Sequence, residues 1–165
     1  MKLNKLLGVI ALPLLAITLI AQEVEEVVIT GSYIKSSPTD GASPVEIIGR
    51  DEIDNLNATT IADITANIAV NSGSENNSDS FTQGSTQGTS NINLRGLGLS
   101  STLVLVDGKR HTLAGNTAND GSVFVNTSSI PVIALDRVEV LKEGAASIYG
   151  SDAVAGVVNN VLDTN

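Results

Sequence analysis

Few residues in this 165-residue sequence have the chemistry of a catalyst or a metal ligand. His111 is the single histidine and there is no cysteine, so neither a Ser/His/Asp triad nor a common type of zinc site can be assembled. Three carboxylates near Arg137 have the chemistry for acid–base work, namely Glu139, Glu143 and Asp152. The sequence nevertheless predicts no enzyme, no metal and no cofactor, and it predicts that His111 lies exposed on a strand.

The charge balance excludes a nucleic-acid partner. Lys and Arg number 9 against 18 Asp and Glu, which gives a formal net charge of −9. An acidic surface repels a phosphate backbone, and the basic residues form no block along the chain.

The first 21 residues have the pattern of a secretory signal peptide. Two lysines precede an apolar run over residues 6–21, which is shorter than the roughly 20 residues of a spanning helix. Cleavage after Ala21 makes Gln22 the first mature residue, although Leu19 is large for the third position before the cut. An uncleaved membrane anchor is the alternative.

Residues 22–36 form an acidic, extended segment and a linker. Its β-branched part favours extended backbone, and a terminal strand of this kind can pair with the edge of a partner's sheet. The alternative is an edge strand of the domain itself. The candidate residues for partner binding are Glu26, Val27, Val28, Ile29 and Thr30.

The remaining chain alternates short elements with polar loops. We predict a strand over 45–48 that ends at Gly49, followed by helices over 51–56 and 60–69, the second with Thr59 or Thr60 as N-cap. Strands follow over 91–96 and 103–106, and a hairpin turn at Asp107 and Gly108 leads to a return strand over 109–112. A short helix is predicted over 132–135. Polar loops occupy 70–90 and 115–129.

The densest segment runs from residue 136 to residue 158. Val138 and Val140 alternate with Arg137 and Glu139, as in a half-buried strand. Glycines then recur at positions 144, 150 and 156 before a second apolar run. Glycine permits positive φ or close backbone approach, so we predict a tightly packed turn region.

Three motif blocks together resemble the plug domain of TonB-dependent outer-membrane receptors. They are a strand followed by two short helices over residues 45–69 (I-x-x-x-x-A-x-x-[IL]), residues 95–110 (R-G-x-G…V-L-V-D-G-x-R), and residues 137–159 (R-V-E-V…Y-G-S…G-V-V-N). The resemblance covers nearly all of the mature chain. It implies an α+β fold: a small mixed β-sheet with short helices and long polar loops.

The resemblance also implies domains, partners and roles. It divides the chain into a signal peptide (1–21), a TonB-box segment and linker (22–36), a plug (37–162) and a tail (163–165). The box binds TonB, and the polar loops contact a nutrient such as a siderophore-iron complex, cobalamin or a glycan, unless they are mobile loops without a ligand. Arg95, Arg137 and Glu139 are candidates for ion pairs with a barrel wall, or else ordinary surface pairs. The structural glycines are Gly96, Gly108, Gly144, Gly150 and Gly156.

A barrel of about 22 strands, at about 10 residues each, needs over 200 residues. The sequence therefore predicts either part of an outer-membrane receptor or a plug expressed without its barrel. The alternative function is a free periplasmic binding or decoy module that sequesters TonB.

Overall fold

The computed structural model describes residue 30, residues 45–75, residue 84 and residues 86–164. The predicted signal peptide, residues 22–29 and 31–44, and residues 76–83 and 85 of the first polar loop lie outside this described part. Among the described residues, no helix has the length and apolar character needed to cross a membrane.

A five-stranded mixed sheet organises the domain. Its strands are β1 (Val45–Gly49), β2 (Thr102–Val106), β3 (Lys109–Arg110), β4 (Leu135–Leu141) and β5 (Gly156–Leu162). The order across the sheet is β1-β4-β5-β2-β3. β5 pairs antiparallel with β4 and parallel with β2, so the last strand in sequence is the central one. The predicted fold class, a small mixed sheet with short helices, is confirmed.

The helices are short and lie in the connections. They are α1 (Arg50–Asn55), α2 (Ile61–Thr65) and α3 (Ala146–Tyr149), with 3₁₀ helices at Leu99–Ser101, Thr127–Ser129, Val132–Ala134 and Ser151–Ala153. Thr60 caps α2 through a capping box with Asp63. The helix ends at Thr65, well before the predicted end at residue 69. Asn67 donates its side-chain amide to the Asp63 carbonyl, which is the kind of local bond that competes with a continuing helix.

One face of the sheet, which we call the helix face, is an apolar core. Ile48, Val104, Val138, Val140 and Val158 pack there with Ile53 of α1 and with Ile61 and Ile64 of α2. Complete burial of each such side chain contributes about 1.5–3 kcal/mol relative to exposure. The spacing of Ile61 and Ile64 presents both side chains to this core, which explains why a helix of five residues is retained.

The opposite face, which we call the turn face, is divided. Its apolar end contains Leu103, Leu105, Leu141 and Val157, covered by Ala145 and Ala153 of the turn region. Its polar end contains Arg137, Glu139 and Asn159, because alternate residues of β4 and β5 share a face and Glu139 lies directly opposite Asn159. The prediction of a half-buried β4 is wrong, since Glu139 and Leu141 are buried as well as Val138 and Val140.

The predicted strand over 91–96 is also wrong. Within the described part of the chain, this segment forms one isolated bridge, between Asn71 and Leu94. Side-chain oxygens accept the backbone N–H groups that a neighbouring strand would otherwise pair with. The Asn93 N–H donates to Asn71 Oδ1, and the Leu94 N–H donates to Thr102 Oγ1. Arg95 then adopts a φ of 58°, which no continuing strand allows.

The hairpin turn at Asp107 and Gly108 forms as predicted, with φ values of 48° and 72° that identify a type I′ turn. The return strand β3 is shorter than the predicted 109–112 and ends at Arg110. His111 follows it and is half-buried beside β2, so its predicted place on an exposed strand is wrong.

Candidate functional site

The N-terminal candidate segment touches the sheet at its last residue. Residues 26–29 lie outside the described part of the chain, but Thr30 is described and only 4% exposed. Its hydroxyl Oγ1 donates to Glu139 Oε2 at 2.5 Å. A residue from far upstream is therefore anchored on β4.

Glu139 is the centre of this contact and has no exposed surface. Its Oε1 accepts from Arg137 Nε and lies 3.0 Å from Arg137 Nη2. Its Oε2 accepts from Asn159 Nδ2 at 3.3 Å as well as from Thr30. These four residues, Thr30, Arg137, Glu139 and Asn159, are here named the Glu139 cluster. An ionised carboxylate tolerates such burial only when it is paired and hydrogen-bonded, and both conditions hold.

Arg137 balances the charge. Its Nη1 also donates to Asp136 Oδ2 at 2.7 Å. Burial disfavours the cation, but the hydrogen bond to Asp136 and the charge and hydrogen bond of Glu139 outweigh it. The pKa of Arg137 is therefore raised above its ordinary value. The guanidinium is therefore a stable cation in this site.

Asn159 joins the cluster to the hairpin turn. Its Oδ1 accepts from the Gly108 backbone N–H at 2.9 Å, while its Nδ2 faces Glu139. The same turn is fixed to β5 a second time, because Asp107 Oδ1 accepts from the Leu162 N–H at 2.8 Å. Asn159 is not among the site residues predicted from the sequence, although an amide within an apolar run is a visible signal for a buried polar contact.

Arg95 lies apart from this cluster. Its Nε donates to the Ala155 carbonyl at 3.2 Å and its Nη2 to the Val154 carbonyl at 2.9 Å. These bonds fasten the 91–96 segment to the start of β5. Arg137 and Glu139 are likewise engaged within the domain, so an ion pair of any of the three with a barrel wall stays a prediction.

The selected glycines fall in two groups. Gly144 and Gly156 are crowded: an added Cβ would lie 3.0 Å from the Val154 carbonyl oxygen at position 144, and 2.4 Å from the Leu141 carbonyl oxygen at position 156. Gly96, Gly108 and Gly150 have positive φ values of 65°, 72° and 96°, and only Gly96 among them has a close neighbour, Ser72 Oγ at 3.1 Å. Gly156 combines both constraints, because its φ is 142°.

The three candidate carboxylates are not brought together for acid–base catalysis. Glu139 is held by Arg137, Glu143 is exposed, and Asp152 pairs with Arg110 at the other end of the turn region. The hydrogen bond from Arg110 lowers the pKa of Asp152. No group of three or more His, Asp or Glu side chains within the described ranges is placed to hold a metal ion.

A groove of about 260 Å³ lies beside β2. Leu103 and Phe124 contribute apolar walls, and Arg110, His111 and Asp152 contribute polar ones. Ser100 and Thr102 line the groove as well, and Arg110 and Asp152 bond to each other. This arrangement favours an apolar neighbour over a charged ligand.

The two polar loops meet at one end of the domain. The Thr127 N–H donates to the Ser90 carbonyl at 2.8 Å, and the Ser90 and Thr127 hydroxyls lie 2.7 Å apart. Asn126 Oδ1 accepts from the Ser90 N–H at 3.2 Å. The second loop also has a small core of its own, in which Phe124 packs with Leu99 and Ala118. The described parts of both loops are thus joined by hydrogen bonds of the buried residues Ser90 and Thr127.

Comparisons with known proteins show the family to which this domain belongs. The family model described as "TonB-dependent Receptor Plug Domain" matches residues 37–157, well over half of the chain. The vitamin B12 transporter BtuB of Vibrio vulnificus is 35% identical over 142 residues, which is 84% of this chain and 21% of that protein. The chain thus spans about a fifth of the length of this curated relative.

Solved structures of outer-membrane receptors contain a domain with a similar fold. The siderophore receptor PirA from Acinetobacter baumannii superposes with a TM-score of 0.52 at 27% identity, covering 73% of this chain and 17% of that one. The alcaligin outer-membrane receptor FauA from Bordetella pertussis gives a TM-score of 0.58 at 18% identity over 84% of this chain and 21% of that one, which shows a shared fold. The chain belongs to the plug domain family of TonB-dependent receptors.

Proposed function

We propose that this domain is the plug of an outer-membrane receptor in a Gram-negative cell, where it closes a β-barrel and gates energy-coupled uptake of a scarce nutrient. The nutrient belongs to the siderophore-iron, cobalamin or glycan class, and TonB supplies the coupling through residues 26–30. The observation that carries the proposal is the family match over residues 37–157. The barrel comes from the rest of a receptor gene or from a separate chain.

Two features of the chain support a place inside a barrel. Barrel interiors in the outer membrane are polar, and the exposed residues of the two loops include the polar Gln87, Ser128 and Ser129. The anchored Thr30 also places the end of the 26–30 segment against the sheet, so a pull on that segment acts on β4 directly.

The gating role is tested with a barrel receptor whose own plug has been deleted. Such a barrel admits large antibiotics that an intact outer membrane excludes. We expect co-expression of this chain to restore exclusion, measured as the minimum inhibitory concentration of a large hydrophilic antibiotic. The Gly84→Val variant should restore exclusion too, because an added side chain at position 84 meets no atom within 4 Å. Unchanged sensitivity, with the chain shown by immunoblot to be in the periplasm, contradicts the proposal.

Partner binding is tested with a peptide that covers residues 23–32. We expect it to bind the periplasmic domain of TonB by strand addition, and we expect Val28→Pro to abolish binding because proline removes a ladder N–H and fixes φ. The matched control is Val24→Pro, which lies outside residues 26–30 and should bind like the wild type. Isothermal titration calorimetry provides the measurement. Equal affinities of the wild-type and Val28→Pro peptides reject the claim.

A further inference from the structure

The groove beside β2 combines apolar walls with a few polar groups, and the state of each polar group selects one kind of ligand. We propose that this groove binds a small neutral aromatic molecule of about one ring that carries a hydroxyl donor, as a simple phenol does. The ligand is selected by the size of the groove, by its apolar walls, by Arg110 and by His111. The inference goes beyond the proposed function, because it requires neither a barrel nor TonB.

The size and the apolar walls of the groove set the class of ligand. Pockets for drug-sized molecules have volumes of roughly 300–1,000 Å³, whereas this groove has about 260 Å³. It therefore accommodates one ring and not a large nutrient such as cobalamin. Leu113 and Val123 line the groove and are 55% and 44% exposed. A bound ring covers both side chains, and the removal of their apolar surface from water favours binding.

Arg110 favours an aromatic ring and disfavours a charged one. Its guanidinium donates to both carboxylate oxygens of Asp152 and to the Tyr149 carbonyl, so its plane is fixed. Aromatic rings stack on such a plane, and Phe124 supplies a second aromatic contact in the same groove. An anion in the groove meets the Asp152 carboxylate and a cation meets the Arg110 guanidinium, whereas a neutral ring avoids both repulsions.

His111 sets the requirement for a hydroxyl. Its Nδ1 lies 3.1 Å from the Thr112 carbonyl oxygen. A carbonyl oxygen only accepts, so Nδ1 carries the hydrogen, and in the neutral ring Nε2 is then an acceptor. Nε2 has no hydrogen-bond partner within the part of the chain that the structure describes. A hydroxyl on the ligand donates to it.

The two hydroxyls that line the groove have other partners. Thr102 Oγ1 accepts from the Leu94 N–H at 3.0 Å. Ser100 is exposed, so water satisfies its hydroxyl. His111 is therefore the residue that determines the preference for a hydroxyl-bearing ring.

The first test is a titration of the full chain with para-cresol, followed by the NMR shifts of the Leu103, Leu113 and Val123 amides. We expect saturable shifts at these residues. Para-methylanisole has the same ring without a hydroxyl hydrogen and should bind about fivefold more weakly, which corresponds to one ordinary hydrogen bond. The anion para-toluate should bind more weakly than para-cresol as well. Absence of shifts at these amides, or equal binding of the three compounds, overturns the proposal.

The second test removes the acceptor with His111→Phe, which keeps a ring at this position. We expect the variant to bind para-cresol about fivefold more weakly and to lose the preference for para-cresol over para-methylanisole. A preference that persists in the variant overturns the role of His111. Circular dichroism checks that the variant is folded, and the comparison of ligands on the wild-type chain decides the proposal if it is not.

The third test places a charge on the apolar wall. Val123→Asp should weaken binding of para-cresol by about tenfold or more. Val154→Asp is the matched control, because Val154 is 46% exposed and is not among the residues that line the groove. It should bind like the wild type, and equal losses in the two variants overturn the assignment of the groove.

A tyrosine side chain of a partner protein is a second source of a phenol, and a short peptide distinguishes it. Acetyl-Gly-Tyr-Gly-amide carries the same ring and hydroxyl on a polypeptide backbone. We expect this peptide to bind more weakly than para-cresol, because its backbone adds bulk that a groove for one ring does not hold. Tighter binding of the peptide identifies a partner's tyrosine as the occupant and overturns the small-molecule site.

Discussion

Asn159 and Asn160 are neighbours in β5, and neither has any exposed surface, yet they lie on opposite faces of the sheet and are used differently. Asn159 engages both ends of its amide, with Gly108 and with Glu139. Asn160 donates to the Leu105 carbonyl at 3.0 Å, but its Oδ1 has no hydrogen-bond partner in the part of the chain that the structure describes. Two asparagines that are equally buried therefore have different hydrogen-bonding roles.

The same contrast holds for the two faces as wholes. The helix face is largely apolar and gains its stability from packing. The turn face retains a buried ion pair between Arg137 and Glu139, and such pairs add little net stability compared with apolar residues of similar volume. Stability explains the helix face. The polar end of the turn face is better explained by what it binds, namely Thr30.

The largest expected effect is that of Gly156→Val, because it disturbs the start of the central strand β5 and so both faces of the sheet. Gly156→Val places a side chain at a φ of 142°, with its Cβ 2.4 Å from the Leu141 carbonyl oxygen and 2.7 Å from Leu94 Cδ1. Backbone strain and overpacking each cost about 1–3 kcal/mol, so we expect a loss of at least about 2 kcal/mol in the free energy of unfolding. Urea denaturation followed by circular dichroism measures it, with Gly84→Val as control. A Gly156→Val domain as stable as the control contradicts the crowding at the start of β5.

A smaller effect is expected in the turn region that covers the apolar end of the turn face. Gly150 has a φ of 96°, but an added Cβ there meets only ordinary contacts of 3.6 and 3.7 Å. Only the backbone strain of a positive φ then destabilises the variant. Gly150→Val should therefore lower the free energy of unfolding by at least about 1 kcal/mol more than Gly84→Val does. Denaturant midpoints compared at equal m values give the difference. Coincident midpoints show that this turn tolerates a side chain.

The paired asparagines provide the direct test of the comparison. Alanine at either position removes the same atoms, but Asn159→Ala deprives the Gly108 N–H and Glu139 of a partner, whereas Asn160→Ala frees only one backbone carbonyl. We expect Asn159→Ala to be more destabilising by about 1–2 kcal/mol. Thermal and urea unfolding of both variants measure the gap. Equal losses reject the functional difference between the faces.

The smallest effect is a pH dependence on the helix-face side. The backbone N–H groups of Thr59 and Thr60 donate to the Asp63 carboxylate and lower its pKa below the ordinary 3.8. The unfolded chain then binds this proton more readily, so the stabilisation is complete above pH 3.8 and is lost as the pH falls through the lower folded value. Asp63→Asn should therefore be less stable than the wild type at pH 6, with a gap that narrows toward pH 2.

Asp152 offers the counterpart on the turn-face side, because the hydrogen bond from Arg110 lowers its pKa. Added salt should weaken the effect of Asp152→Asn, which involves a screened ion pair, more than that of Asp63→Asn, which involves backbone donors. Unfolding at low and high salt makes this comparison. An equal salt response of the two variants contradicts it.

Local signals in the sequence were sufficient for the fold class and for several elements. The Asp-Gly dipeptide fixed the hairpin turn, and Thr60 with Asp63 fixed the start of α2, because both signals act within a few residues. The plug family followed from motif order. By contrast, the strand predicted over 91–96 depended on ladder partners, and side chains of distant residues such as Asn71 replaced them.

The candidate site was harder to foresee. Alternation along β4 assigned Glu139 to solvent because the residue is charged, whereas its partners Thr30 and Asn159 are 109 and 20 residues away. No periodicity within a strand carries such information. The β-branched 26–30 segment and Glu139 were both predicted as site residues, but for separate partners, and only the contact between Thr30 and Glu139 in the structure joins them.

The central place of β5 determines how the domain can be assembled. Before this strand is in place, β1 with β4 and β2 with β3 form two antiparallel pairs that share no hydrogen bond, each with an open edge. Residues 102 and 156 must then meet in parallel register. The chain between them is closed into a long loop, and the entropic cost of closure comes before the stabilising contacts between β2 and β5 form. A growing or translocating polypeptide therefore stays unfinished until its last strand emerges, and the sheet then closes in one late, cooperative step.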